Sequence, residues 1–344
     1  MARDLPMKMP ERRLGSTGPK TSAFGLGCMG MSEFYGPADR AESIATIHAA
    51  LEAGITLLDT GDFYGIGHNE LLIREALAAH PRERVLISVK FGALRDPTGG
   101  WLGYDCRPEA VKNFLAYSLR RLGVDHIDIY RPARLDPAVP IEETVGAIAE
   151  LIRAGYVRYV GLSEVGAATL RRARAVHAIS DLQIEYSLIS RGIEAEILPV
   201  CRELGIGITA YGVLSRGLIS GHWSRDQKSK TDARATSRFP RFDGDNLENN
   251  LRLVEKLRAV AKSIGCTVAQ LAIAWVAAQG SDIVPLIGAR RRDRLAEALG
   301  ALELHLSAEQ QRLLTDTVPP EAVAGDRYAS AQLAHLDSER SSAD

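Results

Sequence analysis

The segment Ala53-Gly54-Ile55-Thr56-Leu57-Leu58-Asp59 contains the end of a helical pattern, a glycine, a short apolar run and a carboxylate, in that order. A glycine just past a helix, followed by an apolar residue, is typical of a left-handed helix terminus. The run Ile55–Leu58 has the length and bulk of a buried β-strand. The segment therefore predicts a helix that ends near Gly54 and feeds directly into a strand, which stops at an ionisable residue.

The same arrangement recurs along the chain, at Leu122-Gly123-Val124, Ala154-Gly155-Tyr156 and Leu204-Gly205-Ile206. Amphipathic segments separate eight apolar runs, which are Ala23–Leu26, Ile55–Leu58, Val85–Val89, His126–Tyr130, Val157–Leu162, Leu182–Glu185, Ile206–Ala210 and Ile283–Leu286. Alternating strands and helices with short connections predict a parallel sheet. Eight such strands can close into a barrel. An open doubly wound sheet is the alternative, but the glycines between Gly25 and Gly30 lack a helix behind them.

The 344 residues show no linker or change in composition, which favours one (β/α)8 barrel domain over residues 1–344, with long loops at its carboxyl-terminal face. Residues Arg12–Lys20, which contain Gly15, Gly18 and Pro19, indicate an N-terminal β-hairpin. The polar stretch Asp226–Asn250 predicts a long surface loop that leads into a helix from about Leu247. The polar end, Ser338–Asp344, is expected to be a disordered tail.

The net charge of −1 gives no general attraction to nucleic acid or to a membrane surface. No apolar stretch is long enough to span a bilayer, and the first residues lack a secretory signal. The four cysteines are scattered, which predicts neither structural zinc nor disulfides and favours a reducing cytoplasm. No metal site is expected, and the sequence leaves open whether the protein is a monomer or a homo-oligomer.

An ionisable trio stands at or just after the ends of two predicted strands. Asp59 and Lys90 end their strands, and Tyr64 follows in Asp59-Thr60-Gly61-Asp62-Phe63-Tyr64-Gly65. A nearby ammonium favours the phenolate, so Lys90 is expected to lower the pKa of Tyr64. A carboxylate beside the lysine would hold its charge in place. One alternative is that Asp59 and Lys90 form a structural ion pair beside an ordinary loop tyrosine. The favoured interpretation is that Tyr64 is an acid that protonates a developing alkoxide.

These residues, with their spacing, resemble the aldo-keto reductase superfamily from about Arg12 to about Tyr328. The resemblance implies a (β/α)8 barrel whose bottom is closed by the hairpin, and reduction of carbonyls with NADPH. Asp59, Tyr64 and Lys90 match three members of the family's catalytic tetrad. The family histidine does not match, because Asp128-Ile129-Tyr130-Arg131-Pro132-Ala133-Arg134 places Ala133 there. Since strand residues two apart share a face, we hypothesise that Arg131 substitutes for the missing donor, with Arg134 a poorer candidate.

The resemblance also implies where NADPH binds. Ser163, Glu164 and Gln183 match positions that hold the nicotinamide carboxamide, and Tyr211 matches a tyrosine that stacks on it. The turn after Tyr211 would cradle the pyrophosphate, and the turn before a late helix would grip the 2′-phosphate through Arg290 and Arg294. The full set of expected cofactor-binding residues is Gly27, Met29, Asp59, Ser163, Glu164, Gln183, Tyr211, Gly212, Val213, Leu214, Ser215, Gly217, Gly288, Arg290, Arg294 and Glu297. Taken alone, Tyr211 is better explained as a core aromatic at a strand end, and an arginine run commonly forms a solvated helix face.

Four aromatic residues fall in predicted loops at the catalytic face and are expected to line the substrate pocket: Phe34, Tyr35, Trp101 and Trp223. The expected activity is NADPH-dependent reduction of aldehyde or ketone groups in small molecules, with Tyr64 as the proton donor. Two alternatives remain because of Ala133. One is reduction of activated C=C bonds, and the other is an NADPH-binding sensor or subunit with weak catalysis.

Overall fold

The computed structural model describes residues 9–223 and 232–340. Its strands are β1 (Glu11–Arg13), β2 (Lys20–Ser22), β3 (Gly25–Gly27), β4 (Leu57–Gly61), β5 (Leu86–Phe91), β6 (Ala93–Arg95), β7 (Trp101–Tyr104), β8 (Ile127–Pro132), β9 (Val157–Ser163), β10 (Ile179–Glu185), β11 (Gly207–Tyr211) and β12 (Ile283–Gly288). Eight of them form a closed barrel in the order β3-β4-β5-β8-β9-β10-β11-β12, and β12 pairs with β3 to complete it. Every pair in the barrel is parallel. The predicted (β/α)8 architecture is confirmed, and each barrel strand overlaps one of the eight apolar runs.

Helices follow the strands in the expected alternation. They are α1 (Arg40–Glu52), α2 (His68–Leu77), α3 (Pro108–Leu122), α4 (Ile141–Arg153), α5 (Ala167–Val176), α6 (Ile197–Leu204), α7 (Gly244–Ile264), α8 (Val268–Ala278), α9 (Arg292–Leu299), α10 (Ala308–Thr317) and α11 (Ser330–Leu333). The glycines that follow α3 and α6 have the left-handed backbone that the sequence predicted, with φ of 70° at Gly123 and 67° at Gly205. Each lets the chain reverse without the clash that a Cβ would cause.

The N-terminal hairpin closes the bottom of the barrel. Its strands β1 and β2 pair in antiparallel fashion, and between them Leu14 packs with barrel residues such as Leu57 and Val284. Arg12 donates to the carbonyl oxygen of Gly280 at 3.0 Å. The hairpin thus seals the end opposite the carboxyl termini of the strands, which leaves that other end as the open mouth.

Two further elements cover the mouth. The first is an antiparallel pair, β6 with β7, in the loop after β5. The second is the C-terminal segment. The amide of Ala329 donates to the carbonyl of Arg238 at 3.1 Å, and the amide of Ser338 donates to the carbonyl of Glu164 at 3.2 Å. The expected disordered tail is therefore wrong for Ser338–Arg340: Glu339 accepts from Arg327 at 2.7 Å, and the amide of Arg340 donates to the carbonyl of Asp337 at 3.2 Å. Residues 341–344 lie outside the described residues.

The long loop expected between Asp226 and Asn250 falls partly in residues 224–231, which are outside the described residues, and α7 already begins at Gly244. Within the described ranges, no single helix has both the length and the apolarity needed to cross a membrane. Only α7 and α8 taken together meet that criterion, and they meet at an 85° bend.

Candidate active site

Asp59 and Lys90 lie on neighbouring barrel strands and form a buried contact at the mouth. Lys90 Nζ is 2.5 Å from Asp59 Oδ1. The other oxygen of Asp59 accepts from Ser88 Oγ at 3.0 Å and from Gln183 Nε2 at 2.7 Å. Both oxygens of the carboxylate are thus held in place. Burial lowers the pKa of Lys90, and the adjacent carboxylate works against that shift.

Tyr64 lies beside this pair, with Lys90 Nζ 5.0 Å from the centroid of its ring. The Tyr64 hydroxyl forms no hydrogen bond with any residue in the described ranges. Burial raises the pKa of Tyr64 well above its ordinary value, and Asp59 raises it further, while Arg134 opposes the shift. The expectation of an unusually acidic phenol is therefore wrong: the charge of Lys90 is matched by Asp59, and the ring is shielded from water. Tyr64 is a neutral phenol whose proton is free to be donated.

Ala133 lies next to this tyrosine, in an apolar cluster that also contains Phe63. Arg131 is fully buried inside the barrel, and its guanidinium donates to both oxygens of Asp181, at 2.8 and 3.2 Å. The hypothesis that Arg131 replaces the missing histidine donor is wrong, because Asp181 holds the guanidinium within the barrel.

Arg134 is the arginine whose charge acts on the phenol. Its Nη1 donates to the carbonyl of Ala133 at 2.6 Å and to Ser163 Oγ at 3.5 Å. Burial has the largest effect on both the Tyr64 and the Lys90 pKa: it raises that of Tyr64 and lowers that of Lys90. The charge of Arg134 lowers both pKa values. Arg134, expected to be the poorer candidate, therefore lies nearer in charge to the phenol than Arg131 does, and its role as a donor stays a prediction.

Glu164 does not present a free carboxylate to a ligand. It is fully buried, and its oxygens accept from Arg327 at 2.6 and 2.9 Å, from Tyr211 at 2.7 Å and from Ser338 at 2.7 Å. Burial alone would raise the pKa of Glu164, but the Arg327 charge holds it far below its ordinary value. These bonds use the acceptor capacity of the carboxylate, so the expected contact with a carboxamide is not available in this arrangement.

The remaining residues expected near the nicotinamide lie close to one another. Ser163 ends β9 and Gln183 lies on the adjacent β10, paired in register. Tyr211 ends β11, and its hydroxyl is 3.1 Å from that of Tyr328. At the other side of the mouth Gly27 pairs in register with Asp59, and Met29 packs against the Tyr64 cluster.

The turn after β11 is a run of left-handed residues that contains a buried hydroxyl without a partner among the described residues. Ser215, Arg216 and Gly217 have successive positive φ values of 45°, 57° and 93°. The amide of Ser215 donates to the carbonyl of Gly212 at 2.6 Å and that of Gly217 to the carbonyl of Leu214 at 2.9 Å, so these backbone N–H groups are engaged within the turn. Ser215 Oγ is buried and has no hydrogen-bond partner among the described residues. The other expected members, Gly212, Val213 and Leu214, lead into this turn.

A second cationic turn follows β12. Gly288 ends the strand, and a Cβ built there would meet no atom within 4 Å, so the space above it is open. Arg290 Nη1 donates to the carbonyl oxygens of Gly36 and Pro37, at 3.1 Å each. Arg294 donates to Glu297 at 3.2 Å. The residues expected to hold a 2′-phosphate and an adenine thus share one turn at the start of α9.

The four expected pocket aromatics divide into two pairs. Phe34 and Trp101 line one cavity at the mouth. Tyr35 and Trp223 instead hold the guanidinium of Arg234 between them, with its carbon 4.9 and 4.4 Å from the two ring centroids. Among the described residues, no group of three or more His, Cys, Asp or Glu side chains is placed to hold a metal ion.

Some residues of the site were missed by the sequence analysis. Ser88 was within reach of it, because Ser88 and Lys90 are two apart on one strand and must share a face. Arg327 carried no local signal, since its partner Glu164 is far away in the chain. The same holds for Arg95 and Arg238, which meet across a cavity built from separate loops.

Comparison with known proteins extends these observations to nearly the whole chain. Residues 23–318 match the model of the Aldo/keto reductase family. The chain is 41% identical over 319 residues to probable aldo-keto reductase 1 of Glycine max, an overlap of 92% of this chain and 91% of the relative.

Solved structures agree in fold. The glycerol dehydrogenase AKR11B4 of Gluconobacter oxydans is similar with a TM-score of 0.81 and 29% identity, covering 90% of this chain and 96% of that one. The holo form of aldo-keto reductase AKR11C1 of Bacillus halodurans is similar with a TM-score of 0.75 and 26% identity, covering 91% and 97%. With its closed eight-stranded barrel and a family match over most of its length, this chain belongs to the aldo/keto reductase family, and it is an oxidoreductase of the kind that acts on carbonyl compounds.

Proposed function

We propose that this protein is an NADPH-dependent reductase of aldehyde or ketone groups in small molecules, with Tyr64 as the proton donor. The observation that carries the proposal is the unengaged hydroxyl of Tyr64, beside a lysine that is itself fixed by Asp59. A carbonyl oxygen that gains negative charge needs a donor within hydrogen-bond reach. Tyr64 supplies that donor, and the charge of Arg134 favours the phenolate left behind.

The residues present fit a phosphorylated dinucleotide. The buried, unpartnered Ser215 Oγ in the turn after β11 is a donor that suits a pyrophosphate oxygen. The guanidinium groups of Arg290 and Arg294 suit the extra phosphate that distinguishes NADPH from NADH. Ser163, Gln183 and Tyr211 would hold the nicotinamide end, and Glu297 the adenine. When bound, the cofactor supplies a hydride to the carbonyl carbon.

Ala133 affects the rate expected for this reaction. Loss of one donor to a developing oxyanion costs on the order of 10²–10³ in turnover in other enzymes. Burial keeps Tyr64 protonated, which favours its role as the donor in reduction. We therefore propose slow turnover of simple carbonyls. We also propose a reducing cytoplasm as the place of action, supported by four cysteines that are all free thiols.

The decisive experiment follows NADPH oxidation with a panel of neutral aldehydes, ketones, quinones and enones, in the wild type and in Tyr64→Phe. We expect aldehyde or ketone reduction in the wild type and a loss of about 10²–10⁴ in kcat for the variant. NADPH affinity, measured by fluorescence titration, should be kept. Reduction confined to enones would favour the C=C alternative, and binding without turnover would favour a sensor. Full activity in Tyr64→Phe would overturn the assigned donor.

A further inference from the structure

The cavity at the mouth that Phe34 and Trp101 line is separated from Tyr64 by Phe63. It has a volume of about 320 Å³ and is lined mainly by the loop at Glu33 and Phe34, the β6–β7 pair with Arg95 and Trp101, and the segment that ends at Arg238. That volume lies within the range of small-molecule sites.

Phe63 connects the cavity to the catalytic tyrosine. Its ring is 4.8 Å from that of Tyr64 and 5.6 Å from that of Trp101, measured between centroids, and both contacts are edge-on. Phe63 therefore lies between Tyr64 and the cavity, and a ligand that reaches both must run along its ring.

The charges around this cavity leave one cation unmatched. Arg95 is paired with Glu33 at 3.1 Å, and Asp232 is paired with Arg234 at 2.5 Å. Arg238 has no carboxylate within ion-pair distance among the described residues; its Nε donates to the side-chain oxygen of Gln332 at 2.7 Å. Arg95 also retains Nε and Nη1 without a hydrogen-bond partner in that part of the chain. Apart from the Asp232–Arg234 pair, the cavity is therefore lined by two guanidinium groups, of Arg95 and Arg238, and one carboxylate, of Glu33, so one positive charge is unmatched.

Burial lowers the pKa of Arg238, and the like charge of Arg95 adds to that effect. An anion in the cavity would oppose both effects on the pKa of Arg238. Its attraction to the guanidinium groups would be screened far less than at an open surface, because these groups are partly withdrawn from water.

The walls beside the cations are flat and apolar. The guanidinium carbon of Arg238 lies 5.6 Å from the ring centroids of both Phe34 and Trp101. Phe34 has a left-handed backbone, with φ of 75°. A bulky residue adopts this conformation only with strain, and such strain gathers at ligand sites. The carbonyl of Phe34 accepts from the amide of Ala233 at 2.8 Å, which fixes the loop in this strained form.

We infer that this cavity is a carboxylate subsite, which selects carbonyl substrates that carry a carboxylate on a flat or extended body away from the reacting group. The inference rests on the proposed function, since it assigns the carbonyl end to Tyr64. Arg238 receives the carboxylate by charge-assisted hydrogen bonds, Arg95 adds a second positive charge, and Phe34 and Trp101 contact the body of the substrate.

The test compares matched acids and methyl esters of increasing reach: 4-formylbenzoate, 3-(4-formylphenyl)propanoate and 5-(4-formylphenyl)pentanoate. For the longer acids we expect kcat/KM at least about tenfold above that of the ester, the size of one charge-assisted hydrogen bond. In Arg238→Gln the acid-to-ester ratio should fall towards one, and in Arg238→Lys it should fall only in part. Arg312→Gln, on the exposed face of α10, is the matched control and should keep the wild-type ratio.

A binding measurement separates this inference from the proposed function. Calorimetric titration with 3-phenylpropanoate, which cannot be reduced, should show about tenfold weaker binding in Arg238→Gln than in the wild type. If neither acid nor ester is reduced, the proposed function fails while this titration still decides the subsite. Equal kcat/KM for acids and esters in the wild type, or equal affinity for 3-phenylpropanoate in both proteins, would overturn the inference.

Discussion

Residue 133 carries only a methyl group, so the chemistry at Tyr64 depends on its other neighbours. Lys90 is committed to Asp59, and Arg131 to Asp181. Arg134 is the remaining cation whose charge lowers the pKa of the phenol, against the larger influence of burial. Arg134, next to Ala133, is therefore the cation that affects how readily Tyr64 gives up its proton.

This arrangement gives a pH prediction for Arg134→Gln. Reduction needs Tyr64 protonated, so activity is present below the pKa of the phenol and is lost as pH rises through it. Removing the charge of Arg134 should raise the pKa of Tyr64 further, and it should also raise the pKa of Lys90. The alkaline limb of kcat/KM for a neutral aldehyde should therefore move to higher pH. Profiles of the wild type, the variant and Arg134→Lys would show it; a limb that moves to lower pH contradicts the assignment.

At the scale of elements, the parts that local sequence determines were predictable. A glycine after an amphipathic helix determines where the helix ends, and Gly123 and Gly205 do this as expected. Alternation along β5 likewise brings Ser88 and Lys90 to one face. The role of Glu164 was not predictable in this way. Its local motif indicates a ligand contact, but its partner Arg327 comes from a segment 163 residues later, and no short-range pattern encodes that pairing.

The C-terminal segment is held across the mouth by this ion pair, which gives a second prediction. Arg327→Gln leaves Glu164 buried without its main cation, and breaking a buried pair in this way costs about 3–5 kcal/mol. Because the contact joins the segment to the barrel, the loss should appear first as faster hydrogen exchange in residues 327–340, with the barrel strands still protected.

The double variant Glu164→Gln/Arg327→Gln is the control for this element. Neutralising both partners removes the buried charge, so the double variant should be less destabilised than the sum of the two single variants. Additive effects, or exchange that rises equally in β9 and β10, would show that the pair does not specifically anchor the segment.

At the scale of the whole molecule, the barrel interior is a polar network as well as an apolar core. Arg131 donates to Ser88 Oγ at 3.1 Å, and Ser88 donates to Asp59. On the other side Thr209 donates to Asp181 at 2.6 Å. The network therefore runs from β11 through β10 and β8 to β5 and β4, and it ends on the carboxylate that holds Lys90. The fold and the catalytic trio share these contacts.

The stability of the barrel should consequently depend on Arg131 and Asp181 as a unit. Asp181→Asn leaves a fully buried guanidinium without its carboxylate, and we expect the free energy of unfolding to fall by about 3–5 kcal/mol, measured by urea denaturation. The double variant Arg131→Met/Asp181→Leu replaces both charges with apolar side chains of similar volume. Its free energy of unfolding should be within about 1 kcal/mol of the wild-type value. That recovered stability would not restore the bond from Arg131 to Ser88, so turnover should stay below wild type while NADPH affinity is kept. A double variant with full turnover would show that the network stabilises the barrel without positioning Asp59. An Asp181→Asn variant as stable as the wild type would show that the buried pair contributes little to barrel stability or to the positioning of Asp59.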